Sequence, residues 1–207
     1  MHNLIASNVV DIIVSTGAII VDIDVFEVLG FKHYIGSPLV DDDELRRLHI
    51  DRIYDTFIDE DELQLCDQTI KKIADSLKAQ PYSSREFIIE MGKYLDTNGC
   101  KVDDSVVYAA YKHNLPIFVP AFSDCSAGFG LLDHQRQRPE KHVTIDSVQD
   151  FKELIETILR SKETGIFILG GGVPKNFVQD AVLGGEANDK GELRNHARMN
   201  KYAIQET

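Results

Sequence analysis

The stretch from Gly165 to Phe177 reads Gly-Ile-Phe-Ile-Leu-Gly-Gly-Gly-Val-Pro-Lys-Asn-Phe, and the interpretation of the chain starts from it. Ile166 to Leu169 is a short apolar run, as expected for a strand covered on both faces. Gly170 to Gly172 then leave room for a ligand to approach the backbone. Pro174 suits the first turn of a helix, where its missing N–H would be unpaired anyway. A strand, a glycine turn and a helix N-terminus form the geometry in which α/β proteins hold anionic cofactors, and a tight turn without a ligand is the alternative.

Two further apolar runs end in small or acidic residues. Val9 to Val14 leads into Ser15-Thr16-Gly17-Ala18, which offers hydroxyl groups and space. Pro116 to Val119 leads into Pro120-Ala121-Phe122-Ser123-Asp124, where the carboxylate can accept hydrogen bonds from a ribose or meet a cation. In each stretch alone, the polar residues could instead cap the next helix. Because ligands of parallel sheets bind at the carboxyl ends of the strands, the three ends together predict one crevice.

Amphipathic segments separate the apolar runs and predict helices, with a last strand at Tyr202 to Gln205 and a loop from Gly184 to Met199. Two helices are expected to begin with capping boxes, formed by Ser83 with Glu86 and by Asp146 with Gln149. The sequence therefore predicts a single α/β domain over residues 1–207, with a Rossmann-like, mainly parallel sheet and helices on both faces. The predicted helices cover Asp22 to Leu29, Asp41 to His49, Thr56 to Leu77, the residues after Ser83, Asp104 to Asn114, the residues after Asp146 (with Val148 on its buried stripe), and Pro174 to Val182.

Charge and composition exclude several classes of function. The formal net charge of -12 would repel nucleic acid and suits a cationic ligand such as a polyamine. The three cysteines have no paired spacing, so we expect a reduced, cytoplasmic protein. No metal-binding histidine spacing, bilayer-spanning apolar run or signal-peptide pattern is found, which predicts neither a metal site nor a membrane segment. Cys125 has no histidine placed by the sequence to activate it, so it is a weak candidate nucleophile.

The three strand-end blocks together resemble the deoxyhypusine synthase family. The blocks are Val14 to Ala18, Phe122 to Gly128 and Ile168 to Phe177, and their order and separation agree with the family. The third block is the most specific, and the resemblance covers nearly all 207 residues. The chain is most similar to the bacterial and archaeal deoxyhypusine synthase-like branch, near homospermidine synthase.

This resemblance implies a chemistry. In the family, NAD accepts a hydride from spermidine, the oxidised amine is cleaved, and diaminopropane leaves. The aminobutyl group passes through an imine on an enzyme lysine to an acceptor amine, and the hydride returns. The acceptor is a lysine of the translation factor 5A precursor, or putrescine in homospermidine synthases. The family sites lie between subunits of a homotetramer, so the resemblance also implies a homo-oligomer.

The resemblance also assigns roles to residues. Asp22 and Asn176 would contact the polyamine, and Asn176 stands where the eukaryotic enzymes carry a histidine. Phe129 replaces an aspartate that those enzymes use for the polyamine, and both changes agree with the bacterial-like branch. The residues that it places at the NAD site are Ser15, Thr16, Gly17, Asp124 and Gly171.

Two segments of the family have no counterpart in the sequence. Their absence leaves three hypotheses about the function of the chain open. One is a Ser/Asn-rich NAD-binding turn, and the other is a Trp-Gly-Lys segment that supplies the catalytic lysine; the chain has no tryptophan. No catalytic residue is therefore assigned, and Lys175 does not replace the lysine by position. The chain is predicted to be an NAD-dependent aminobutyltransferase of the family. The alternatives are a non-catalytic binding or regulatory subunit that needs a partner chain, and a nucleotide-binding module unrelated to polyamines.

Overall fold

The computed structural model of the chain describes residues 1–100, 102–185 and 199–206, which form an α/β fold. The helices are α1 (His2–Ala6), a π-helix (Ala18–Val25), α2 (Phe26–Val28), α3 (Asp42–Arg47), α4 (Glu60–Ser76), α5 (Ser84–Thr97), α6 (Val106–His113), α7 (Ser126–Gln137), α8 (Ser147–Arg160) and α9 (Val173–Gly184). The strands are β1 (Ile13–Val14), β2 (His33–Ile35), β3 (Ile50–Ile53), β4 (Thr56–Asp59), β5 (Pro81–Tyr82), β6 (Ile117–Phe118), β7 (Thr144–Ile145), β8 (Gly165–Leu169) and β9 (Tyr202–Glu206).

Parallel pairing dominates the strands that belong to the predicted crevice. β1 pairs with β6, so that the first and second strand-end blocks leave neighbouring strands at the same edge. β8 pairs in parallel with β9, and β5 pairs in parallel with β7. Within the described residues, β8 and β9 form a sheet separate from β1 and β6. The α/β class is confirmed, but the described strands form short pairs rather than one continuous ladder.

Helices cover the β1–β6 pair on both faces, as the alternation of side chains along β6 requires. Ile117 and Val119 point into the larger core, to which α4, α5, α6 and α7 contribute. Phe118 points the other way, into a smaller core built from Leu154 and Ile158 of α8 and from residues of α9. The pair therefore lies between two helical layers, which fixes the strand ends in position.

Several predicted helix starts are confirmed. Ser83 and Glu86 form the expected capping box at the start of α5. The Asp146 side chain accepts hydrogen bonds from the backbone N–H groups of Val148 and Gln149 at the start of α8. The Gln149 side chain, however, donates to Glu153 instead of completing a capping box.

Other expectations were wrong. Thr56 to Asp59 is a strand, because β-branched and aromatic residues there pair with β3, and helix α4 begins after Asp59, whose side chain accepts from two backbone N–H groups. The helix expected from Asp22 begins at Ala18 as a π-helix. Val148, expected on the buried stripe of α8, is 74% exposed. The loop expected from Gly184 to Met199 lies largely outside the described residues.

None of the helices in the described ranges has the length and apolar character that crossing a bilayer requires.

Candidate functional site

The first two strand-end blocks meet at the carboxyl ends of β1 and β6. The Ser15 backbone N–H donates to the Phe118 carbonyl at 3.0 Å, which extends the parallel pairing to the first residue after β1. Gly17 lies directly against Cys125, because a Cβ atom added at Gly17 would lie 2.9 Å from the Cys125 Cβ atom. Thr16 is exposed, and its hydroxyl oxygen accepts from the Ile19 N–H at the start of the π-helix. Ser15, Thr16 and Gly17 therefore border the same crevice as the second block.

The π-helix that follows Gly17 carries two aspartates, each of which caps a different helix. Asp22 Oδ1 accepts a hydrogen bond of 2.9 Å from the Ser126 N–H, in the first turn of α7. Asp24 accepts from the Ser105 hydroxyl and from two backbone N–H groups in the first turn of α6, at 2.7 to 2.9 Å. Helices of the π type are rare and occur mostly at functional sites, which agrees with this position beside the crevice.

Asp22 lies among other acids. Burial raises the pKa of Asp22 to about 6, against the lowering effect of the Ser126 N–H hydrogen bond. The negative charges of Asp67 and Asp124 raise it further, and His33 lowers it. The charge of Asp124, which the resemblance assigns to NAD, therefore acts on Asp22, which the resemblance assigns to the polyamine. A cation entering the crevice would therefore meet more than one carboxylate.

Asp67 on α4 is a member of this site that the sequence analysis did not identify. The Ser126 hydroxyl donates to the Asp67 carboxylate. Burial raises the pKa of Asp67 to about 6, the Ser126 hydrogen bond lowers it, and the charge of Asp133 raises it again. A signal existed in the sequence, because Asp67 shares the helical stripe of Leu63 and Ile70, where an acid is unexpected.

Cys125 does not have the properties of a nucleophile. Burial raises the pKa of its thiol to about 12, with a further contribution from the charge of Asp22. The thiol donates to the Phe122 carbonyl at 3.3 Å. Since the thiolate is the reactive form, this cysteine is a packing residue between the two loops.

The glycine turn of the third block is held against the end of β9. The Gly170 N–H donates to the Glu206 carbonyl at 2.8 Å, and the Gln205 side chain donates to the Gly170 carbonyl at 3.0 Å. Lys175 Nζ donates to the Gln205 side-chain oxygen at 2.7 Å. Lys175 is thus engaged in holding the turn.

Of the three glycines in this turn, Gly171 is the one whose backbone conformation and surroundings do not require a glycine. Gly170 and Gly172 have φ angles of 81° and 94°, a region that strongly favours glycine. Gly171 has no such angle, and a Cβ atom added there would meet no atom within 4 Å. The residue faces open space, so the turn has the room that a bound dinucleotide phosphate needs beside a helix N-terminus.

The third block joins the first two through packing rather than through a shared strand ladder. Phe177 and Val178 of α9 pack in the same core as Ile12 and Val14 beside β1. Asn176 is exposed in the first turn of α9, five positions after Gly171. The structure therefore brings the first two blocks into direct contact and holds the third nearby.

Phe129 also has an informative position. It lies in the first turn of α7, three residues after Ser126, and its side chain is 68% exposed. Phe129 is therefore open to solvent, and the role that the resemblance gives to this position stays a prediction.

The fold and the candidate site together indicate the class of protein. The chain is an α/β protein with a group of acids where two parallel strands end, and a separate strand pair carries a glycine turn at a helix N-terminus. In the described ranges, no group of three or more histidine, cysteine, aspartate or glutamate side chains has a metal-binding arrangement.

Comparisons with known proteins then identify the family. A family model described as deoxyhypusine synthase matches residues 1–207, and the chain belongs to the deoxyhypusine synthase family. It is 57% identical over 205 residues to a deoxyhypusine synthase-like protein of Chlorobaculum tepidum, covering 99% of the chain. A Coxiella burnetii protein of the same description is 56% identical over 205 residues, again covering 99% of the chain.

A solved structure supports the same assignment. The crystal structure of a candidate deoxyhypusine synthase from Entamoeba histolytica matches with a TM-score of 0.58 and 25% identity, over 83% of this chain and 51% of that one. The chain spans 57% of the length of both bacterial relatives. It therefore corresponds to little more than half of a family member.

Proposed function

We propose that the chain forms the cofactor and polyamine crevice of an NAD-dependent aminobutyltransferase, which moves the aminobutyl group of spermidine to an acceptor amine. The acceptor would be a lysine of the translation factor 5A precursor, or putrescine. The observation that carries the proposal is the set of acids beside Gly17, in a chain whose whole length matches the deoxyhypusine synthase family. The polyamine chemistry is that of the family, and the proposal places the reaction in the cytoplasm.

The residues of the crevice fit NAD. Ser15, Thr16 and Gly17 would hold it at the end of β1, Asp124 would accept hydrogen bonds from a ribose, and the open space at Gly171 would admit the phosphates. When bound, NAD supplies a hydride acceptor that later returns the hydride.

The acids fit a polyamine. In the described parts of the chain, neither lysine nor arginine forms an ion pair with Asp22, Asp67 or Asp124. Partial burial of Asp22 and Asp67 without a cation is unfavourable, and a ligand ammonium group would remove that cost. Asp22 would orient one end of the polyamine, because its Oδ1 atom is already fixed by Ser126. Asn176 would contact the other end of the polyamine from α9.

Transfer also requires a lysine to carry the aminobutyl group as an imine. We propose that this lysine reaches the crevice from family sequence that has no counterpart in these 207 residues, and that the protein acts as a homo-oligomer, a tetramer by family resemblance. One observation favours a second function: Lys175 forms a hydrogen bond with Gln205 rather than with the acids. In that second function, the chain is a non-catalytic binding or regulatory subunit that depends on a partner chain.

Calorimetric titration tests the binding proposal. NAD should bind the purified chain, and spermidine should strengthen that binding. Asp22→Asn should weaken spermidine binding by about 10-fold, since it removes one charge-assisted contact but keeps an oxygen for the Ser126 N–H. The control is Asp43→Asn on the exposed start of α3, which should change neither affinity. Absence of NAD binding and of spermidine binding in the unaltered chain would exclude the proposal.

A further inference from the structure

Ser126 connects two carboxylates that come from different helices. Its backbone N–H donates to Asp22 Oδ1 of the π-helix at 2.9 Å, and its hydroxyl donates to Asp67 of α4. Ser126 is 5% exposed, so water has little access to either hydrogen bond. The start of α7 therefore has a fixed position relative to both acids, and a displacement of Asp67 would be transmitted to Asp22 through this one residue.

The packing around Ser126 supports a rigid link. Cys66, the neighbour of Asp67, is completely buried and shares a core with Ala127, the neighbour of Ser126. Cys125, the N-cap residue of α7, forms no side-chain capping bond, so the Asp22 carboxylate takes that capping role. Helix α7 thus depends on the aspartate that the proposed function directs toward the substrate.

Titratable groups on several elements act on the two acids. Asp22 faces Asp67 of α4, Asp124 of the loop after β6, and His33 of β2. Asp67 faces Asp133, about two turns beyond Ser126 in α7. Among the described side chains that act on Asp22 through their charge, His33 opposes the accumulation of negative charge, so the ionisation of Asp67 influences that of Asp22.

We propose that Asp67 is a positioning residue that acts through Ser126 to fix Asp22 in the orientation that receives a substrate ammonium group. Asp67 does not itself contact the substrate in this proposal. The role of Asp22 rests on the proposed function, whereas the link from Asp67 through Ser126 rests on the contacts given above. The two parts can therefore be tested separately.

The first measurement needs no ligand and follows the Asp22 carboxyl by carbon-13 NMR during a pH titration. Asp67→Asn keeps an oxygen that accepts from Ser126 but removes the charge, so the Asp22 midpoint should fall by about one pH unit. Asp133→Asn is the matched control, because Asp133 faces Asp67 but does not bond to Ser126, and it should leave the Asp22 midpoint nearly unchanged. An unchanged midpoint in Asp67→Asn, or an equal shift in the control, would overturn the proposal.

The second measurement separates positioning from charge by amide hydrogen exchange at Ser126. Asp67→Ala removes the acceptor and should accelerate exchange of the Ser126 N–H about 10-fold or more, whereas Asp67→Asn should retain its protection. Equal protection in both variants would contradict a link through Ser126.

Spermidine titration of the same variants then tests the functional part. Binding by the unaltered chain should weaken as pH falls through about 6, and in Asp67→Asn this weakening should move to lower pH with the Asp22 midpoint. If the unaltered chain binds no spermidine while the NMR and exchange results hold, the proposed function fails and the link between Asp67 and Asp22 stands.

Discussion

At the scale of single residues, two glycines of the crevice are small for different reasons. Gly17 has no side chain because Cys125 occupies the space, so the protein itself requires glycine at the contact between the first two loops. Gly171 has open space around it and no restrictive φ angle. Under the proposed function, Gly171 leaves room for the ligand, so the two residues give opposite predictions for the same substitution.

Gly17→Ala should destabilise the chain. The new methyl group would overlap the Cys125 side chain, and forcing extra atoms into a packed contact costs about 1–3 kcal/mol. Urea unfolding would measure the loss. An unfolding free energy equal to that of the unaltered chain would show that the two loops are not packed as described.

Gly171→Ala should leave stability nearly unchanged while it weakens NAD binding. The methyl group enters empty space, so we expect a change in unfolding free energy within about 0.5 kcal/mol. A bound phosphate would meet that methyl group, and calorimetry should show NAD affinity reduced by about 10-fold or more. Full NAD affinity in this variant would remove Gly171 from the cofactor site.

At the scale of secondary-structure elements, the π-helix organises the site because it supplies caps to two other helices. Asp22 caps α7 and Asp24 caps α6, although the two residues are only two positions apart. Helix N-termini carry unpaired N–H groups and a partial positive charge, so each carboxylate stabilises the helix that it meets. The element thereby couples the first strand-end block to the helices on both sides of the second.

Asp24→Ala should therefore destabilise the fold without affecting the substrate acids directly. It removes three hydrogen bonds to one carboxylate at the start of α6, for which we expect a loss of about 2–4 kcal/mol. Asp24→Asn retains acceptor capacity and should lose less. Thermal unfolding of both variants would check the order, and an equal loss in both would argue against the capping role.

The sequence predicted elements where local chemistry decides them. Ser83 with Glu86 and the cap at Asp146 are local signals, and the structure confirms both. The π-helix could not be predicted, because its capping partners lie more than 80 residues away along the chain. The strand at Thr56 to Asp59 was not predicted, because the helical spacing of apolar residues further along led the predicted helix to start at Thr56. The pairing of this strand with β3 exists only in the folded chain. Asp67 could have been suspected as an acid on the apolar stripe of its helix, but its partner Ser126 lies 59 residues away along the chain and comes beside it only on folding.

At the scale of the whole molecule, the chain has a net charge of -12 and also contains buried acids whose raised pKa disfavours the charged form. Burial, as the largest cause, raises the pKa of Asp22, Asp67 and Asp150 to about 6. Asp150 is completely buried between α5 and α8, and one of its carboxylate oxygens has no hydrogen-bond partner. These acids cost stability when they are charged, and self-repulsion of the whole chain adds to that cost.

Stability should consequently rise as the solution is acidified from pH 7 to about 5. A group whose folded pKa exceeds its unfolded value binds a proton on folding, so the unfolding free energy grows as pH falls through about 6 toward 4. We expect a gain of about 2–4 kcal/mol, after discounting for solvent screening at Asp22 and Asp67. Urea unfolding at several pH values would measure it, and Asp150→Asn should reduce the gain.

Below about pH 4 the trend should reverse. Burial opposes ionisation of Asp75 and Glu153, but hydrogen bonds from Lys71 and Arg85, respectively, outweigh it and lower the pKa of both. The stability from these pairs is lost as pH falls through their folded pKa values. A stability that continues to rise below pH 4 would contradict these ion pairs.

The β8–β9 pair gives a prediction about assembly. Parallel strands are normally covered on both faces, yet Phe167, Tyr202 and Ile204 are 51%, 66% and 60% exposed. As part of the proposed homo-oligomer, this face should be covered by a second copy. Ile204→Lys should reduce the molar mass measured by light scattering, whereas Leu39→Lys, at a residue that is 92% exposed elsewhere, should not. A monomeric unaltered chain would contradict the prediction.

The raised pKa of the thiols has a practical consequence for chemical labelling. Burial raises the pKa of Cys66 and Cys125 to about 12 and also raises that of Cys100, so alkylating reagents would meet very little thiolate in the native chain at neutral pH. These are the three cysteines of the sequence. A Leu39→Cys substitution, at a residue that is 92% exposed, would then be the preferred point of attachment for a fluorophore, because an exposed thiol forms thiolate far more readily at neutral pH than the three native ones.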